Sequence, residues 1–400
     1  MIRRMRDKML KVALFCEIPK DVMNLFPEDK YTVIKEETTE ADGIVMRSLD
    51  IHDMKFSKQL KAIARSGAGV NNIPVQRCSE GGIVVFNAPG ANANAVCELT
   101  FLGLLMSSRR VMDSIDWTKS LDKDVAETVE KGKSQFVGPE LKGKTLGVIG
   151  LGNVGHLVAN LGIKLGMEVI GYDPYISVKN ALALSWDVQY TNDINELYKR
   201  SDYITIHVPY NNETKDYINK DNIKMMKDGV KILNFARHAV INEDDLIEAL
   251  ENDKVGYHVS DLPNEKLLNA KNVVCIPHLG GSTIEAEENC AEMAATELTE
   301  YLERGNITNS VNFPDCSMDR YPGTDRIVVL NKNIPNMIGK ITTALATHNV
   351  NIIGMVNKSK GDYACNIIDV IGEFNEDKLI ELEEHFGILR IMFIKNKGSK

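Results

Sequence analysis

The sequence predicts an α/β protein: two doubly wound, Rossmann-like parallel-sheet domains and a C-terminal βαββαβ unit of ferredoxin-like arrangement. Three observations predict it. Short apolar runs alternate with helical patterns through the first 280 residues, and strands alternating with helices imply parallel sheets covered on both faces. A glycine-rich turn, GLGNVG, sits in mid-chain at 150–155, so a full domain's length of sequence precedes it. From 326 to 400 the pattern changes to strand, helix, strand, strand, helix, strand, which is the split βαβ arrangement.

The elements follow in order. KVALFC, GIVMRS, KAIARSG and GIVVFNAP read as buried strands, each ending near Gly, Pro or a small polar residue. A long helical pattern covers 92–112, and the polar segment 113–140 has no clear periodicity. TLGVIG, EVIGYD, YITIHVP, VKILNFA, a segment near 255–260 and NVVCIP then form a second strand series. In the tail, RIVVLNK, NIIGMVNK, YACNIIDVIG and ILRIMFIK are strand-like, and PNMIGKITTALATHN and NEDKLIELEEHF are helix-like. The stretch 312–325 carries two prolines and few apolar residues and reads as a linker.

Composition narrows the class. Hydrophobic content of 44% and charged content of 26% over 400 residues suit a soluble protein of two or three domains. A net charge of −9 argues against a general basic surface for nucleic acid. The seven cysteines include no CxxC pair, which points to reduced thiols and to neither a disulfide framework nor a metal site. No apolar run approaches the ~20 residues of a membrane span. The basic start MIRRMRDKML is followed only by the short run VALF, too short for a signal peptide. The expected compartment is the cytoplasm.

The glycine turn has a physical reading at each position. Gly150 permits a tight turn, Gly152 lets the backbone approach a pyrophosphate, and Gly155 lets helix and strand pack closely. The helix that opens there offers free N–H groups to phosphates. The next strand, EVIGYD, ends in Asp173, 18 residues after Gly155. Its carboxylate can accept both hydroxyls of an adenine ribose and would repel a 2′-phosphate, so NAD is favoured over NADP.

Hydride chemistry at an alcohol needs a cation for a substrate carboxylate, a base for the hydroxyl proton, and an acid to support that base. Three residues beyond strand ends supply these types: Arg237 closing VKILNFAR, Glu265 in DLPNEKL, and His278 in CIPHLGGST. Ligands bind beyond the carboxyl ends of parallel strands, so all three are expected at one edge. A guanidinium matches a carboxylate's two oxygens, and a Glu beside a His orients it and raises its pKa. His207 and His258 lie within strands and read as core or supporting residues.

These motifs together resemble the D-2-hydroxyacid dehydrogenase family, over nearly the whole chain. GAGVNNIP at 67–74, NAPGANANAVCE at 87–98, FVGPELKGKTLGVIGLGNVG, NFAR and PHLGGST carry the likeness. The resemblance implies that Arg237, Glu265 and His278 are the catalytic residues and that Asp261 holds the nicotinamide carboxamide. It adds Asn153, Val154, Val208, Phe235, Ala236, Gly280 and Gly281 to the cofactor contacts. It implies a cofactor domain at 93–281 inserted into a substrate domain made of 1–92 and 282–311, then the linker 312–325 and a tail at 326–400. Subunits of this family pair through the cofactor domain, so a homodimer or tetramer is expected.

Within the family, the branch that oxidises 3-phosphoglycerate is the best match. It implies a phosphate grip by Arg47 and Arg65, with Ser66, Gly67 and Ala68 in the substrate loop and Lys133 reaching in from a second subunit. The tail resembles the ACT family of small-molecule sensors, with Asn331, Asn333 and Asn351 where effector contacts fall and L-serine as the possible effector. The sequence departs from the family at His238, where glycine is usual, and at Asn71, where aspartate is common. Ser260 competes with Asp261 for one place, and Asn331 stands where some relatives have histidine. Two alternatives stay open: a dehydrogenase for glycerate, glyoxylate or 2-hydroxyglutarate, and an NAD-sensing corepressor without turnover.

Overall fold

A computed structural model describes residues 9–372, 376–380 and 387–396. The chain divides into two compact units: residues up to Ala91 together with those from Glu287 onward, and Asn92–Ala286. The architecture is α/β, with two parallel sheets and one antiparallel sheet.

The first unit holds a five-stranded parallel sheet of β1 (Leu10–Leu14), β2 (Tyr31–Ile34), β3 (Gly43–Met46), β4 (Ala62–Arg65) and β5 (Val84–Phe86). Its order is β2-β1-β3-β4-β5, so the order reverses between β1 and β3. The long helix Ile284–Arg304 returns the chain to this sheet. Ala291, Ala294, Leu298 and Tyr301 from it share a core with Val12, Val45 and Phe86. The helix passes so close that a Cβ on Gly43 would meet Leu298 Cδ1 at 2.8 Å.

The second unit holds seven parallel strands: β6 (Thr145–Ile149), β7 (Glu168–Tyr172), β8 (Gln189–Tyr190), β9 (Tyr203–Ile206), β10 (Val230–Asn234), β11 (Val255–Ser260) and β12 (Val273–Cys275). The order β12-β11-β10-β9-β6-β7-β8 is doubly wound, with its switch point between β6 and β9. Separate apolar clusters pack the two faces. The helical pattern expected over 92–112 is Ala93–Arg109, which ends where Arg110 turns left-handed at φ 49°. The segment without periodicity forms helices Val111–Lys119 and Val125–Gly132 and a 3-10 turn, Lys133–Phe136. No residue of these three is buried, which is why no apolar stripe marks them.

The antiparallel sheet belongs to the first unit. It consists of β13 (Asp325–Lys332), β14 (Asn351–Lys360), β15 (Tyr363–Ile371) and β16 (Ile388–Ile394), in the order β14-β15-β13-β16. One face packs on the helix Met337–Thr347 through Met337, Ile341 and Leu345. The other face sends Val328, Leu330, Cys365 and Met392 into the core of the five-stranded sheet. Residues 312–325 are not a loose tether. Phe313 and Cys316 are fully buried, and Cys316 pairs backbone to backbone with Ile307. Arg326 and Asp369 form a buried ion pair at 2.7 Å, and Arg326 also donates to the Arg304 carbonyl at the end of the long helix. Of the helix expected over 375–386, Glu376–Ile380 is seen, and the rest lies outside the described residues. No helix among the described residues is long and apolar enough to cross a membrane.

Candidate active site

In the second unit the glycine turn follows β6 directly. Gly150 has φ +89°, and a Cβ there would lie 2.8 Å from the His207 carbonyl. A Cβ on Gly155 would lie 1.8 Å from the Gly150 carbonyl, so the helix Gly155–Lys164 can start this close only from glycine. Nothing lies within 4 Å of a Cβ on Gly152. That space would admit a pyrophosphate close to the backbone. Asn153 is exposed and Val154, the cap of the helix, is half-buried. His156 Nδ1 sits 2.8 Å from the Gly152 carbonyl and steadies the turn. Asp173 Oδ2 accepts from the Leu151 N–H at 2.8 Å, and its Oδ1 accepts from the Tyr175 N–H. Asp173 is thereby fixed against the glycine turn.

Beyond the other strands lie the remaining candidates. Val208 follows β9 and is half-buried; its Cγ1 is among the atoms nearest a Cβ on Gly150. Phe235 is buried and packs on Gly103 of the helix Ala93–Arg109. The buried Asn234 shapes the turn after β10. Its Oδ1 accepts from the Ala236 N–H and its Nδ2 donates to the Arg237 carbonyl, which presents the exposed Arg237 side chain. Arg237 itself donates to the Ala236 carbonyl.

Asp261 directly follows β11 and is buried. Its Oδ2 accepts from the Gly280 N–H at 2.9 Å, while its Oδ1 is buried with no partner. An acceptor left this way suits a ligand amide, as the nicotinamide carboxamide would supply. The neighbouring Ser260 hydroxyl is committed to the Asn234 carbonyl at 2.8 Å, so the open acceptor belongs to Asp261. Gly281 lies where a Cβ would meet Asn92 Nδ2 at 2.6 Å. These residues fit a bound dinucleotide at phosphate, ribose and carboxamide.

Glu265 is the first residue of the short helix Glu265–Leu268, and His278 lies in the loop after β12. Both are exposed, and among the described residues neither makes an ion pair or side-chain hydrogen bond. Glu243 joins two parts of this edge: its Oε1 lies 3.4 Å from His238 Nδ1 and accepts from Asn264 Nδ2 at 2.7 Å. Asn264 caps the helix that begins with Glu265. His258 is buried, with Nδ1 3.0 Å from the Ile232 carbonyl, and burial pushes its pKa down to about 4. Burial likewise lowers that of His207, whose Nε2 is 3.0 Å from Thr205 Oγ1. Both are neutral fixtures of the sheet. Lys133 is exposed and paired with Glu130 at 2.5 Å.

In the first unit, Arg47 follows β3 and Arg65 ends β4, and Met46 is the register partner of Arg65. The two arginines therefore leave neighbouring strands at one edge. Arg47 pairs with Glu287 at 2.7 Å, and both are partly exposed. Asn72, unremarked in the sequence, ties them together: it accepts from Arg65 Nε at 3.1 Å and donates to the Arg47 and Leu49 carbonyls. Ser66 is buried, and Gly67 has φ +154° with a Cβ position 2.5 Å from Arg65 Nη1. The Ala68 carbonyl is held by Asn87 at 2.6 Å.

The three asparagines of the tail are not brought together. Asn331 is buried, donates to the Lys332 carbonyl and accepts from Asn366. Asn333 is exposed and donates to Gly361. Asn331 pairs with Ala364 at one end of β15, and Asn351 pairs with Ile371 at the other.

Residues 101–280 match the profile of the D-isomer specific 2-hydroxyacid dehydrogenases, NAD binding domain. Hydroxypyruvate reductase of Thermotoga maritima is 39% identical over 276 residues, which are 67% of this chain and 83% of that protein. The chain belongs to the D-2-hydroxyacid dehydrogenase family. D-3-phosphoglycerate dehydrogenase of Methanocaldococcus jannaschii is 36% identical over 315 residues, 76% of this chain and 58% of that protein. Its counterpart from Archaeoglobus fulgidus is 36% identical, with 53% of its length covered; the chain thus spans little more than half of these two relatives. Among family structures, NAD+-bound 3-phosphoglycerate dehydrogenase of Entamoeba histolytica is 27% identical, with a TM-score of 0.59 over 76% of this chain and 99% of that one. D-mandelate dehydrogenase of Rhodotorula graminis, 22% identical with a TM-score of 0.65 over 76% of this chain and 97% of that one, shares the fold. The turn at 150–155 and Asp173 are accordingly parts of an NAD-binding dehydrogenase domain.

Proposed function

We propose that this dehydrogenase oxidises 3-phospho-D-glycerate to 3-phosphohydroxypyruvate, the first step of L-serine biosynthesis. The observation that carries the reading is the pair Arg47 and Arg65 at the ends of neighbouring strands, where two guanidiniums can share one phosphate. The names of the archaeal relatives support it. NAD, when bound, accepts the hydride from C2. His278 takes the hydroxyl proton as that hydride leaves, and Glu265 stabilises the imidazolium that results. Arg237 holds the substrate carboxylate. Arg47 exchanges Glu287 for the phosphate as substrate enters, and Lys133 of a second copy adds a charge. The exposed Leu102, Leu105 and Ile115 suit a homo-oligomer joined through the cofactor domain. The tail acts as an ACT-like module with L-serine as its effector, held by groups other than Asn331, Asn333 and Asn351 acting together, since Asn331 is buried and committed and Asn351 lies at the far end of β15. The seven free thiols suit the reducing cytoplasm.

A second reading is reduction of unphosphorylated hydroxypyruvate, favoured by the relative of which this chain covers 83%. NADH oxidation with 3-phosphohydroxypyruvate, hydroxypyruvate, glyoxylate and 2-oxoglutarate separates the two. The phosphorylated oxoacid should be strongly preferred, and Arg47→Ala and Arg65→Ala should each raise its KM by about tenfold or more, the weight of one charge-assisted contact. Equal use of hydroxypyruvate, with KM indifferent to both arginines, would decide for the second reading. In either case His278→Ala should lose ~10²–10⁴-fold in kcat while still binding NADH.

A further inference from the structure

We infer that the amino-terminal edge of the seven-stranded sheet binds a single tetrahedral oxyanion between Lys144 and Lys231. This edge is the one opposite the cofactor turn. A pocket of about 160 Å³ opens there, lined by Lys144, Asp202, Tyr203, Lys227, Asp228 and Lys231 among others. Both acids have closer partners, although the Asp202 charge also acts on Lys144 and Lys231. Asp202 accepts from Lys227 Nζ at 2.8 Å and from the Thr145 N–H at 2.8 Å. Asp228 pairs with Lys254 at 2.7 Å. Lys144 and Lys231 have no ion-pair partner among the described residues, and both are half-buried. Lys231 Nζ stands 4.9 Å over the Tyr203 ring, and the hydroxyl of that fully buried Tyr203 has no hydrogen-bond partner.

Two unpaired ammonium groups converging on one pocket repel each other, and burial makes the repulsion worse. Burial lowers the pKa of Lys231; Asp202 opposes that shift and Lys144 adds to it. An anion between the two cations relieves both effects. The volume sets its size: a water occupies roughly 30 Å³ of liquid, so a phosphate or sulfate with a water or two fits. A pocket for a nucleotide-sized ligand begins at roughly 300 Å³. Occupancy would fasten the starts of β6, β9 and β10, whose far ends carry the glycine turn, Val208 and Arg237.

The test reads binding, so it is independent of which oxoacid the enzyme uses. Thermal unfolding of the intact protein is followed against inorganic phosphate, with saturating NADH present. The Arg47→Ala/Arg65→Ala background removes the arginine pair as a competing place for phosphate. The midpoint should rise and saturate with phosphate, sulfate should compete, and chloride at equal ionic strength should give no saturating gain. Lys231→Met and Lys144→Gln should each reduce the apparent affinity at least tenfold. The second variant, at a different residue, guards against a folding defect in the first, and ³¹P line broadening supplies a second measure of binding. A gain that persists in both lysine variants, one that chloride reproduces, or indifference to sulfate would overturn the proposal.

Discussion

At Asp261 one carboxylate oxygen accepts the Gly280 N–H, and the other, equally buried, accepts nothing. A buried polar atom without a partner costs about 1–3 kcal/mol, and a carboxamide donor placed there removes that cost. Asp261→Ala should therefore weaken NADH binding by roughly 10–100-fold. Titration of NADH fluorescence measures this, and unchanged affinity would remove Asp261 from the cofactor site. Asp261 was legible in the sequence only through family likeness, because neither its burial nor its open oxygen is written in YHVSDLPNE. Gly150, Gly155 and Asp173 were legible because their spacing has a steric or charge meaning of its own. Asn72, Asn234 and Glu243 were not. An amide that pins two carbonyls, or a carboxylate that joins His238 to the cap of the next helix, acquires its task only when distant backbone arrives.

Among the elements, the turn after β6 separates two uses of glycine that the motif writes with one letter. Gly155 is needed by the protein itself, since a Cβ would stand 1.8 Å from the Gly150 carbonyl; Gly152 has open space. Gly155→Ala should lower the melting temperature by several degrees and abolish NADH binding together. Gly152→Ala should leave the melting temperature within a degree or so and lose NADH binding alone, because its methyl meets only the ligand. Calorimetry beside NADH titration distinguishes them, and equal thermal loss in both would contradict the assignment. Strands buried on both faces, such as β6 and β10, announce themselves as apolar runs. The edge strands β2 and β8 do not: only Tyr31 of β2 is buried, and the two residues of β8 are both exposed. The break at Arg110 was equally silent, since a left-handed arginine follows from packing and from no local preference.

In the whole molecule, the helix Ile284–Arg304 carries the core shared by the five-stranded and antiparallel sheets. The strand pattern of the tail was legible, but its docking was not: that Val328 and Met392 face a core built mainly from residues 12–86 and 291–316 cannot be read from alternation alone. Within this helix sits Glu297, 5% exposed, with Oε1 accepting from Asn309 Nδ2 at 2.7 Å and Oε2 without a partner. Burial pushes its pKa up to about 8, opposed by the Asn309 hydrogen bond and assisted by Asp315. Unfolded, the same carboxyl titrates near its ordinary value of 4.5. Between those limits folding takes up a proton, so this group's contribution is fully present below the lower value and is lost as pH rises through the upper one. The slope for one proton is about 1.4 kcal/mol per pH unit. Glu297→Gln keeps the carbonyl that Asn309 needs and cannot ionise. The variant should match the parent in thermal stability near pH 4.5 and exceed it by a margin that widens up to about pH 8 and then stays constant. Parallel melting curves across that range would mean that Glu297 is ionised in the folded core, and that a cation or water satisfies its second oxygen.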